Sequence, residues 1–96
     1  MAMFISLCNW TEEGIRNVKQ TAKRVDAAKK TAARYGVTFK EIYYTVGKYD
    51  FIVLFDAPDA ESLSRFALAT GAQGNIRTLT MQAFTLDEMK GIVSKI

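Results

Sequence analysis

Two stretches of this chain are apolar on both faces of an extended strand: Phe4-Ile5-Ser6-Leu7-Cys8, Ser6 excepted, and Phe51-Ile52-Val53-Leu54-Phe55. Successive side chains of a strand point to opposite sides of a sheet, so runs of this kind need cover on both sides. Both strands therefore belong in the middle of a sheet, and the rest of the chain has to supply the edges and the cover.

The flanking residues read as follows. Met3 to Cys8 is the first strand. Thr11 can cap a helix, with Glu12 and Glu13 in the first turn where the helix dipole favours acids. Ile15, Val18, Ala22, Val25, Ala28 or Ala32, and Tyr35 then recur at helical spacing. A single helix over 12–35 would be about 36 Å long, more than a small sheet spans. A break is predicted near Lys19–Thr21, with Thr21 capping a second piece that ends at Gly36. Val37 to Val46 is the second strand, with a bulge at Lys40-Glu41. Gly47-Lys48 is a tight turn into the third strand, Tyr49 to Ala57, so the two strands form a hairpin. Pro58 stops that strand, and Asp59 caps a helix over 60–70 with Leu63, Phe66, Ala67 and Thr70 inward. After Gly71-Ala72-Gln73-Gly74, a fourth strand over 75–84 alternates Leu79, Met81 and Ala83 with Thr78, Thr80 and Gln82. Thr85 and Glu88 form a capping box, with Phe84 stapling onto Met89, for a last helix running to the C-terminus.

This order predicts one α+β domain over residues 1–96. It has a ferredoxin-like βαββαβ plan, a four-stranded antiparallel sheet and a C-terminal helix. Right-handed crossovers put both inner helices on one sheet face, with strands one and three central. The other face keeps an apolar patch that a monomer would expose, which marks an interface. Two such sheets packed face to face make a dimeric α+β barrel with a lined cavity between them. A chain of 96 residues buries a modest core, so pairing also helps stability.

Composition narrows the function classes. The chain holds one cysteine and no histidine, which excludes a structural zinc site and a histidine-ligated haem and removes the commonest general base. No metal and no cofactor is expected. The lone Cys8 suits a reducing cytoplasm. The N-terminus reads as mature structure, not a signal peptide, and no apolar run is long enough to span a bilayer, so no membrane role is expected. The net charge of +3 is uneven: residues 11–36 carry seven basic side chains against three acidic ones. No aromatic interleaves with them, so the segment reads as a solvated helix face and not as a nucleic-acid site. Gly71-Ala72-Gln73-Gly74 follows a helix instead of opening one and is not a phosphate cradle.

Beyond these readings, Gly47-Lys48-Tyr49-Asp50 resembles the signature of the GYD domain family. Phe4-Ile5-Ser6-Leu7, Trp10-Thr11 and Gly14-Ile15-Arg16 resemble that family's opening, and Ala57-Pro58-Asp59 its third-strand exit. Gly74-Asn75-Ile76-Arg77-Thr78, then Ala83-Phe84-Thr85 with Glu88-Met89, resemble its fourth strand and close. Family members often carry proline where Ala22 stands here. The resemblance covers nearly the whole chain and implies the dimeric α+β barrel fold; it supplies no reaction.

The candidate site residues are Tyr44, Tyr49, Asp50, Asn75 and Arg77. A carboxylate beginning an apolar strand, as Asp50 does, is either a base or ligand anchor or a turn residue bonding hairpin amides. Arg77 can hold a carboxylate bidentately, whether a ligand's or that of Asp50, or can face water on an edge strand. Tyr43 and Tyr44 must face opposite sides of the sheet, and Tyr44 and Tyr49 can orient a ligand in an apolar pocket or simply pack. Asn75 reads as a turn residue beside such a site. Ser6, Thr45, Thr78 and Thr80 add polar points if their face is the cavity face, and Cys8 reads as a small buried hydrophobe.

The function expected from this reading is a small-molecule-binding module. It is a homodimer, or a multiple of one, holding an apolar or carboxylated ligand. Two alternatives stay open. One is a cofactor-independent enzyme, monooxygenase- or isomerase-like, with Asp50 as base. The other is a protein-interaction module using the basic first helix.

Overall fold

The computed structural model describes residues 1–96. Strand β1 (Ala2–Trp10) leads into a short helix α1 (Glu12–Arg16), a 3₁₀ turn over Val18–Gln20 and helix α2 (Thr21–Arg34). Strands β2 (Thr38–Tyr44) and β3 (Phe51–Ala57) follow, then helix α3 (Ala60–Gly71), strand β4 (Ile76–Ala83) and helix α4 (Leu86–Val93). The four strands form one antiparallel sheet in the order β2-β3-β1-β4. The two doubly apolar strands are the central pair, and the α+β plan is the predicted one.

Local chemistry sets the boundaries. Thr11 caps α1, its Oγ1 accepting from the Gly14 N–H at 3.1 Å. Asp59 caps α3, its Oδ1 accepting from the Ser62 N–H at 2.7 Å. Thr85 and Glu88 form the reciprocal capping box that opens α4. Each such cap satisfies amides that the helix itself leaves without partners. The predicted break in the first helical region is present but begins earlier, at Asn17. Thr21 is not a cap: it is the first residue of α2, and its hydroxyl donates back to the Val18 carbonyl. The break rotates the apolar stripe, so Ile15 and Val18 face solvent while Val25, Ala28, Ala32 and Tyr35 turn inward. Ala22 lies in the first turn of α2, where a proline also fits because its missing N–H has no intrahelical acceptor.

The β2–β3 ladder slips between Phe39 and Glu41, which is the expected bulge at Lys40. The hairpin turn is longer than a two-residue Gly47-Lys48 turn. Thr45 donates its N–H to the Asp50 carbonyl and its hydroxyl to the Tyr49 carbonyl, closing a loop over Val46–Tyr49. The last helix stops at Val93, short of the C-terminus.

Every second residue of the central strands is buried under α2 and α3: Phe4, Ser6 and Cys8 on β1, and Phe51, Val53, Phe55 and Ala57 on β3. Leu63 and Phe66 of α3, Ala32 of α2 and Val37 before β2 complete this core. The opposite sheet face has no cover. Ile5, Leu7, Ile52 and Leu54 lie there half-buried, flanked by Leu79 at 53% and Met81 at 42% exposure. Helix α4 has no buried residue, and Leu86, Met89, Ile92 and Val93 are all exposed.

Candidate functional site

The register across the sheet lines up Tyr44, Phe51, Cys8 and Thr78 in one row and Ile42, Val53, Ser6 and Thr80 in the next. These rows face the helices and, Thr80 excepted, floor a cavity of about 130 Å³ whose roof is α2 and α3. Aromatic groups close its two ends. At one end Trp10 stacks on Tyr44 with centroids 6.2 Å apart, and Phe51 packs against both. At the other, Phe39, Phe55 and Phe66 meet edge to face. Such geometries suit the ring quadrupoles and leave rigid walls. Tyr44 lines the cavity while 49% exposed.

The thiol and the phenol that line this space resist ionisation. Burial pushes the Cys8 thiol up to about 12, and the thiol donates to the Ser6 carbonyl at 3.7 Å. The Ser6 and Thr80 hydroxyls bond each other at 2.7 Å. Burial, and secondarily the nearby Cys8, raise the Tyr44 phenol above its ordinary value. Thr70, on the last turn of α3, turns its Oγ1 into the interior, shielded from solvent and with no hydrogen-bond partner. Arg24 of α2 also lines the cavity. No group of three Cys, Asp or Glu side chains forms that could hold a metal ion.

The five predicted site residues divide between the two sides of the sheet. Tyr44 and Asn75 line the cavity. Asp50 and Arg77 belong to the other side, at one end of the uncovered face. The Asp50 carboxylate accepts from the Trp10 N–H at 2.9 Å and from Asn9 Nδ2 at 3.4 Å, while Asn9 pairs in register with Arg77. The two charged residues thus flank one asparagine and make no ion pair with each other. Tyr49 sits half-buried in the hairpin loop, with the Lys48 ammonium 5.8 Å from its ring centre. Asn9 ties that loop down by donating to the Lys48 carbonyl at 2.9 Å.

Arg24 and Thr70 escaped the sequence reading as site residues. Arg24 belongs by charge to the basic segment, yet its place three residues after Thr21 and four before Ala28 sets it in the inward stripe. Thr70 carried a usable signal: it follows Leu63, Phe66 and Ala67 at helical spacing.

Comparison with known proteins now bears on this geometry. The GYD domain profile matches residues 4–93. The chain belongs to the GYD domain family. Among curated proteins, this GYD chain is 27% identical over 90 residues to a Thermus thermophilus protein named glutamine synthetase and cystathionine beta-lyase binding protein. The match covers 93% of this chain and 95% of the relative. Among solved structures, TTHA0845 from Thermus thermophilus superposes with a TM-score of 0.55 at 23% identity, covering 88% of this chain and 95% of that one. MtbAldR gives 0.68 at 14% identity; the match covers 88% of this chain but 53% of that longer one. At these identities the solved structures speak for the fold alone. No helix of the GYD chain is long and apolar enough to cross a membrane.

Proposed function

We propose that this GYD domain is a binding module. It pairs with a second copy through the uncovered sheet face, and each protomer holds a small molecule between its helices and its sheet. The observation that carries the reading is the cavity of about 130 Å³, in which 15 of the 22 lining residues are hydrophobic and only a few are polar. That is the make-up of a small-ligand site. Its thiol and hydroxyls are protonated or bonded to one another, which suits holding a molecule and not attacking it. Asp50, the candidate base, sits outside the cavity with its carboxylate engaged by Trp10 and Asn9. Self-pairing is supported by the face carrying Ile5, Leu7, Ile52, Leu54, Leu79 and Met81, an apolar patch of a kind that monomers rarely leave bare.

Native mass spectrometry of the protein as purified tests this. The expected result is a dimer, or a multiple of it, carrying a reproducible added mass of small-molecule size. A monomer at micromolar concentration would remove the self-pairing part of the reading.

A second reading has its own support. The Thermus relative is named for binding two enzymes, and α4 presents Leu86, Met89, Ile92 and Val93 without cover. Co-elution of this protein with purified glutamine synthetase, lost when Met89 and Ile92 are changed to serine, would favour enzyme binding.

A further inference from the structure

The cavity is polarised along its length, and the polarity follows from the topology. Helix α2 starts over the sheet end where β1 finishes and β4 begins, because its far end must hand the chain to β2 at the opposite end. Helix α3 runs the other way and brings its last turn to that same end. Thr21 and Arg24 from α2, Thr70 from α3, and Gln73 and Asn75 from the following loop therefore gather at one end. The far end is walled by Phe39, Val53, Phe55, Leu63 and Phe66.

Charge singles out one chemistry at the polar end. Of the 22 lining residues only Arg24 carries a charge, and no aspartate, glutamate or lysine is among them. The half-buried Arg24 has no carboxylate within ion-pair distance. A guanidinium is permanently charged and presents a planar fork of donors matched to a carboxylate. The Thr70 hydroxyl, shielded and without a partner, is the second observation. A buried polar group left unpaired is costly, and such groups are rare in native proteins. A ligand oxygen arriving at this end would satisfy it.

We propose that the cavity binds a small monocarboxylic acid with a compact aromatic or branched aliphatic body. The carboxylate lies at Arg24 and Thr70, and the body points toward Phe55 and Phe66. Size bounds that body: an apolar cavity of about 150 Å³ accommodates a benzene ring, and the space here is about 130 Å³, so the apolar part is no larger than one small ring or a branched chain. The proposal rests on the cavity being a ligand site and adds the class of ligand and the residues that select it.

The test is calorimetric titration of the full chain with phenylacetate and with phenylacetamide, its neutral counterpart of the same shape. Phenylacetate should bind at least tenfold more tightly, the scale of a charge-assisted hydrogen bond. Arg24→Gln should abolish that preference, bringing phenylacetate down to the affinity of phenylacetamide for the same variant. Thr70→Val should weaken phenylacetate several-fold while the melting temperature holds or rises, because the change deletes an unpaired buried hydroxyl; a purely structural threonine would not give that split. Equal binding of the two probes, or phenylacetate affinity indifferent to Arg24→Gln, overturns the carboxylate assignment and leaves the cavity a ligand site. Binding of neither probe overturns the assignment and counts against the cavity as a ligand site as well.

Discussion

At the scale of single residues, the tightest constraint is a glycine. Gly14 is buried, and a Cβ there would lie 2.0 Å from the Asn75 carbonyl oxygen, on backbone that cannot swing away. That carbonyl already accepts the Thr11 N–H at 3.1 Å, while the Thr11 hydroxyl donates to the Gly74 carbonyl at 2.6 Å. The contact therefore locks the start of α1 to the loop before β4, beside the polar end of the cavity. Gly14→Ala should lower unfolding stability by about 1–3 kcal/mol, the usual scale of overpacking, as read from urea denaturation. An unchanged midpoint would mean that the two loops move apart freely. Cys8 gives a second prediction. Burial raises its thiol from 9.0 to about 12 in the folded chain. Above pH 9 the unfolded chain loses this proton while the folded chain keeps it. The stability contributed by the buried thiol is thus complete below pH 9 and eroded as pH rises toward 12. Cys8→Ala should show a shallower loss of melting temperature between pH 9 and 11 than the parent. Rapid alkylation of native Cys8 at pH 8 would contradict its burial.

At the scale of elements, the helices differ in what holds them. Helix α3 buries Leu63 and Phe66 against the sheet, so tertiary packing supports it. Helix α4 buries nothing and depends on its capping box, with acids Asp87 and Glu88 in the first turn. Isolated helices of eight residues are marginal in water. Thr85→Ala, which removes about 1 kcal/mol of capping, should therefore speed amide hydrogen exchange across Leu86–Val93 and leave the exchange of β1 and β3 unchanged. Slow exchange in α4 that survives the substitution would show that something other than its own cap holds the helix, such as the partner in a dimer.

At the scale of the whole molecule, the sheet is covered on one side only. One face packs on helices around Phe4, Val53 and Phe66, and the other is bare. Pairing through the bare face predicts a sharp asymmetry. Leu79→Asp places a charge where water already reaches the single chain, since Leu79 is 53% exposed. The fold should tolerate it, with a near-native circular dichroism spectrum, while light scattering coupled to size exclusion reports dissociation to monomers. A Leu79→Asp protein that remains dimeric would move the interface elsewhere, with α4 the next surface to examine.

Much of the architecture was legible from residue pattern because it rests on local rules. Double-faced apolarity marked β1 and β3 as central, Asp59 and the Thr85–Glu88 pair announced their helices, and Lys40-Glu41 announced the bulge. Each of these is decided by neighbours within a few residues. The site was legible only in part, because a cavity is a property of two layers meeting. Strand alternation requires Tyr43 and Tyr44 to face opposite sides but does not say which of them faces the helices, where Tyr44 and Asn75 line the cavity. The separation of Asp50 and Arg77 from it, and the turning of Arg24 toward it, depend on the β1–β4 register and on the exact residue at which the first helical region breaks. A one-residue slip in the register would carry Arg77 to the opposite face of the sheet, and a one-residue shift in the break would turn the stripe of α2 by about 100°. Local pattern determines which segments must be strands and helices and which faces seek cover; only packing between elements far apart in the chain decides which polar group is left inside without a partner.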